Sequence, residues 1–124
     1  LLKQYKGEWE FDTNWKMIFG HPKKAGWIKA IQEAQQAVQK GLKLDCPILV
    51  MSSNKSFPET ETWHEEYMTS DIVLDVQDIQ KYGEKLGDKV TRDTIPNGIH
   101  DLILSQKPYR NDAYQTIFEW LKKQ

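Results

Sequence analysis

The chain has one cysteine, Cys46, in 124 residues. A lone thiol excludes an internal disulfide framework and fits a reducing, cytoplasmic setting. Beside the apolar run that follows it, Cys46 reads as a small buried hydrophobe rather than a nucleophile. Positive charge is not in excess: 17 Lys and Arg face 18 Asp and Glu, for a net charge of −1. That balance lacks the basic footprint that nucleic acid requires. No unbroken apolar run approaches the roughly 20 residues of a bilayer span. There is neither a Gly-rich phosphate loop nor a Cys pair, so a nucleotide or redox site has no signal and no cofactor is implied. The first residues, Leu1-Leu2-Lys3-Gln4, show no initiator methionine and no signal-peptide pattern, and read as the start of a piece cut from something longer.

The length suits one domain with a modest core. Five tryptophans in a chain of mean hydropathy −0.70 suit a half-domain whose core is completed elsewhere. Residues 1–25 read as an extended arm in which Trp9, Phe11 and Trp15 are aromatic anchors. Phe19-Gly20-His21-Pro22 reads as a turn with a solvated histidine.

Beyond the arm the period changes. Trp27, Ile31, Ala34, Val38 and Leu42 recur at helical steps, with Lys and Gln between them, and predict an amphipathic helix over about 26–42 that covers a core with one stripe. Ile48-Leu49-Val50-Met51 does not alternate, which predicts a strand over about 47–52 buried on both faces, as in a parallel sheet. A loop follows over 57–70. Its His64-Glu65-Glu66 fails as a zinc-protease helix because Met68 stands where the second histidine must be.

Asp75 has the place of a helix N-cap, with Asp78 in the first turn and Leu74 and Ile79 at the spacing of a hydrophobic staple. This predicts a helix over about 75–86, closed by Gly87. Asp71 has no such helical role and is the candidate acid, set against the reading of a turn or cap carboxylate. A more polar, β-branched strand over about 89–95 comes next, towards an edge. Pro96-Asn97-Gly98 then turns the chain into a loop bearing His100. The plain alternative for His100 is a satisfied loop histidine beside Asp101. Asn111 or Asp112 is placed to cap a last helix over about 111–123, with Tyr114, Ile117, Phe118 and Leu121 as its buried stripe.

Strand, helix, strand and helix at this spacing predict an α/β unit of two parallel strands with a right-handed crossover. In such sheets reactive groups gather beyond the carboxyl ends of the strands. Asp71 and His100 each follow one, so one crevice can hold both.

Pro47-Ile48-Leu49-Val50-Met51-Ser52-Ser53, Ser70-Asp71-Ile72-Val73-Leu74-Asp75-Val76 and Gly98-Ile99-His100-Asp101-Leu102 together resemble the last third of an α/β-hydrolase. The likeness is to the lysophospholipase-like and serine-aminopeptidase-like branch. It covers residues 26–124, includes Phe118-Glu119-Trp120-Leu121 as a closing helix, and reaches Gly7-Glu8-Trp9-Glu10-Phe11 as chain returning from a lid. The resemblance implies that Asp71 is the acid and His100 the base of a nucleophile–acid–histidine triad. It also implies a small-molecule ester or lipid-like substrate, with an ester or an amide bond cleaved through an acyl-enzyme. No Gly-x-Ser-x-Gly elbow occurs, and Ser52, Ser53, Ser56, Ser70 and Ser105 lack the flanking glycines. The resemblance therefore implies the carboxyl-terminal portion of a serine hydrolase, inactive alone, with its nucleophile and oxyanion hole upstream. The competing expectation is a non-catalytic scaffold or assembly module. Either way, an unpaired edge on the first strand predicts self-association.

Overall fold

A computed structural model describes residues 2–3, 7–17, 20 and 22–124; Phe19 and His21, and with them the turn read at 19–22, lie outside the described residues. The fold is mixed α/β, with two parallel strands and three helices. Helix α1 is Ala25–Lys40, strand β1 Ile48–Ser53, helix α2 Val76–Gly83, strand β2 Val90–Ile95 and helix α3 Lys107–Leu121. None of these helices is long and apolar enough to cross a membrane.

The strands run in register from Ile48 opposite Val90 to Ser53 opposite Ile95. Successive side chains of a strand point to opposite faces, and β1 uses both. Val50 meets α2 so closely that a Cβ on Gly83 would lie 2.9 Å from its Cγ1. Leu49 and Met51 border a groove shared with α3. A helix thus stands on each side of β1, but Ile48–Met51 are half-buried rather than buried on both faces as their sequence predicts. On β2, Thr91 through Thr94 are exposed, and Trp120 Nε1 of α3 donates to Thr91 Oγ1 at 3.2 Å.

Asp75 caps α2 as its sequence predicts, accepting from the backbone N–H of Gln77 at 2.8 Å. Helix α1 ends two residues before the expected 42 because Gly41 takes φ +100° and its N–H turns back to Val38 O. Leu42 and Leu44 leave the helix and donate instead to the carbonyls of Lys85 and Leu86.

Three further expectations are corrected. Cys46 is exposed rather than buried, because it stands in the connector ahead of β1. Helix α3 starts at Lys107 rather than at 111, with neither Asn111 nor Asp112 as its cap. Pro108 falls in the first turn, where no intrahelical N–H is required, so it opens the helix instead of delaying it. The apolar stripes of α1 and α3 are also not buried. α1 contains no buried residue, and Tyr114, Phe118 and Leu121 are exposed. The physical reason is the width of the sheet, since two strands cannot cover three helical faces. Among the described residues the buried apolar side chains are Met68, Val76, Ile95 and Ala113. The buried polar side chains Ser52, Ser53, Ser70, Asp71 and Ser105 include the ends of β1 and the loops beyond it.

Candidate functional site

Past β1 the chain makes a long excursion before it reaches Asp71. Phe57, Trp63, His64 and Tyr67 pack ring against ring, with centroids 5.3–5.9 Å apart. The Tyr67 hydroxyl accepts from Thr60 N at 2.7 Å. A single 3-10 turn, Glu65–Met68, closes the excursion and buries Met68. These aromatics anchor the loop to itself.

The excursion returns beside its own beginning. Ser56 and Asp71 form a parallel bridge, in which Asp71 N donates to Lys55 O at 3.0 Å and Phe57 N donates to Asp71 O at 2.9 Å. Ser56 Oγ donates to Leu74 O and accepts from Val76 N, both at 2.9 Å, which ties the same strip to the start of α2. Asp71 is therefore pinned through its backbone on both sides, with 1% of its surface exposed.

The second limb starts at Ile95. Gly98 N donates to Ile95 O at 3.1 Å, with Pro96 second in the turn and Asn97 third at φ +59°. Those are the residues a type II turn calls for, with Asn in place of Gly at the left-handed position. Gly98 itself has no room for a side chain, because a Cβ there would lie 2.6 Å from Leu102 Cδ2. Ile99 N then donates to the buried Ser105 Oγ at 3.0 Å, and a 3-10 turn at Leu102–Leu104 completes the loop.

The two limbs meet at the residues singled out from sequence. His100 Nδ1 lies 2.9 Å from Asp71 Oδ2, across 29 positions of chain. The carboxylate can only accept, so Nδ1 carries the proton of this bond, and in the neutral imidazole Nε2 keeps a lone pair. Among the described residues Nε2 makes no hydrogen bond, and 42% of the imidazole side chain is exposed. The ring borders an open groove of about 640 Å³ whose walls include Met51, Leu102, Ile103 and Ile117. The imidazole pairs with Asp71, not with the adjacent Asp101.

Asp71 has structural work as well. Its Oδ1 accepts from Val73 N at 2.8 Å and from Leu74 N at 2.9 Å. The sequence-based elimination that left it without local employment is corrected: one oxygen closes a turn and the other faces the imidazole. Four of the five serines are occupied too. Ser52 Oγ donates to Ser53 O and accepts from Gln80 Nε2, Ser53 Oγ accepts from Lys55 N, and Ser56 and Ser105 brace the two loops. Among the described residues the buried Ser70 Oγ and Trp9 Nε1 have no hydrogen-bond partner.

Sequence reasoning missed the supports behind the pair. Glu8 Oε2 accepts from Arg110 Nη2 at 2.9 Å, Glu8 Oε1 accepts from Lys107 N at 3.2 Å, and the Arg110 guanidinium lies 4.8 Å from the centre of the Trp9 ring. Nothing in the local pattern joins residues so far apart. No protein-family model, curated protein or solved structure matches this chain.

Proposed function

We propose that this chain supplies the acid and the base of a serine-hydrolase triad, as the carboxyl-terminal part of an α/β-hydrolase of the lysophospholipase-like kind, with the nucleophilic serine upstream. The observation that carries this reading is the pair of a buried Asp71 carboxylate and a half-exposed His100 imidazole at 2.9 Å, with Nε2 unbonded among the described residues. A serine hydroxyl is a poor nucleophile at neutral pH until an imidazole takes its proton. An Nδ1–H held by a carboxylate makes Nε2 that base and stabilises the imidazolium that results. Ester or lipid-like acyl groups are the substrates this chemistry suits, through an acyl-enzyme.

A serine-reactive phosphonate should label the longer polypeptide that carries this segment and leave the isolated chain unlabelled. His100→Ala in that polypeptide should slow labelling by a factor on the order of 10⁴. Labelling at an undiminished rate in the variant would sink the proposal.

A second reading has one observation in its favour, the bonds from Asp71 Oδ1 to Val73 and Leu74. On that reading the pair is a staple between two loops of a non-catalytic scaffold. A longer polypeptide that takes up no phosphonate while keeping the Asp71–His100 hydrogen bond is the result that selects it.

A further inference from the structure

His100 owes its place to a loop that is closed on itself, and the closing bond lies one residue away. Ile99 N donates to Ser105 Oγ and joins the two limbs of the loop beside the imidazole. Ser105 is 1% exposed, so its hydroxyl is not exchanging partners with water. Its carbonyl accepts from Arg110 Nη1 at 3.4 Å, and the Arg110 side chain, 15% exposed, reaches the other way to Glu8. Trp9 covers one face of the guanidinium. Helix α3 has no side-chain cap of its own at Gln106, and Glu8 fills that role from the arm by accepting from Lys107 N. Arm, helix start and histidine loop are thus linked in one run of polar contacts: Glu8, Arg110, Ser105, Ile99.

We propose that Ser105 and Arg110 are positioning residues for His100, and that docking of the N-terminal arm through Glu8 and Trp9 sets how firmly the imidazole is held against Asp71. The proposal rests on the acid–base reading of the pair. Arg110 has two jobs that a shorter or uncharged side chain cannot fill together, a bond to the Ser105 carbonyl and a charge-assisted bond to Glu8. With Glu8 absent, the guanidinium loses its counter-charge and the carbonyl its fixed donor. The Ile99–Ser105 bond then holds the limb that carries the imidazole without support from the arm.

The test is proton and nitrogen NMR of the His100 ring in the full chain. The wild type should show a protected Nδ1–H whose signal is lost in Asp71→Ala. Arg110→Ala and Glu8→Ala, which break the charge-assisted bond, and Ser105→Ala, which removes the acceptor of the Ile99 N–H, should each raise its exchange with water by about tenfold, the loosening expected when one such hydrogen bond is removed. Unchanged exchange in folded variants that have only lost thermal stability would overturn the proposal and leave the contacts as a helix cap. Should Arg110→Ala or Ser105→Ala fail to fold, Glu8→Ala decides, since it removes only the arm's contacts to Lys107 N and Arg110 and leaves the bonds within the histidine loop in place. A wild type without the protected proton, indistinguishable from Asp71→Ala, would instead remove the acid–base pair itself.

Discussion

At the scale of single residues, the two oxygens of Asp71 separate stability from chemistry. Oδ1 takes the N–H groups of Val73 and Leu74, and Oδ2 takes the imidazole. Asp71→Asn preserves the first set if its amide oxygen sits where Oδ1 does. The amide NH₂ then faces His100 Nδ1 and donates to it, which moves the ring proton to Nε2 and removes the lone pair that the proposed base needs. The expected outcome is stability within ~1 kcal/mol of wild type in urea denaturation, with ¹⁵N NMR reporting the Nε2–H tautomer. Asp71→Ala leaves two backbone donors without their acceptor and should cost ~2–4 kcal/mol. Equal destabilisation by Asn and Ala, or an Nδ1–H tautomer in the Asn variant, would count against this division. The pairing with His100 was legible in sequence because both residues follow the carboxyl ends of parallel strands. The turn closed by Oδ1 was offered only as the alternative reading of Asp71, because Ser70-Asp71-Ile72-Val73 carries no helical or strand period to mark it.

At the scale of elements, the start of α3 depends on a residue about a hundred positions away. The backbone N–H of Lys107 holds the Glu8 carboxyl below its ordinary value of 4.5, the hydrogen bond and charge of Arg110 add to this, and partial desolvation opposes them. A lowered folded-state pKa means that the folded protein binds the proton less readily than the unfolded chain. The contribution is therefore complete above about pH 4.5 and is lost as pH falls through the lowered value. Glu8→Gln keeps an oxygen for Lys107 N–H and removes the titration. Its stability should fall less steeply than wild type below pH 4.5 in denaturant melts taken across the acid range; superimposable acid limbs would refute the link. This dependence also explains why the helix start was misread from sequence. Asn111 and Asp112 look like caps locally, whereas Pro108 in the first turn and a carboxylate from the arm open the helix four residues earlier. Asp75, whose capping bond is local, was read correctly.

At the scale of the whole molecule, the apolar run Ile48–Met51 argued for a strand buried on both faces, and the fold meets that only in part. Helix α2 packs on one face of β1 and α3 borders a groove on the other, Ile48–Met51 are half-buried, and among the described residues its hydrogen-bonded neighbour in the sheet is β2. Trp27, Ile28 and Ile31 on α1 and Phe118 and Leu121 on α3 stand in solvent. Two strands are marginal by themselves, and an apolar edge is a template for another chain. The periodicity of α1 and α3 marked which faces are apolar and carried no information on whether anything covers them. We therefore expect the isolated chain to self-associate, with a sedimentation coefficient that rises with concentration. Replacing Leu49 and Met51 by Lys places charge in the groove between β1 and α3 and should shift the chain towards monomer. A single monomeric boundary at the highest attainable concentration, or association indifferent to the two lysines, would mean that these faces tolerate water as they are. In that case the pairing of Asp71 with His100 would belong to a unit that needs no further strands, and the reading of this chain as part of a larger hydrolase would lose its physical motive.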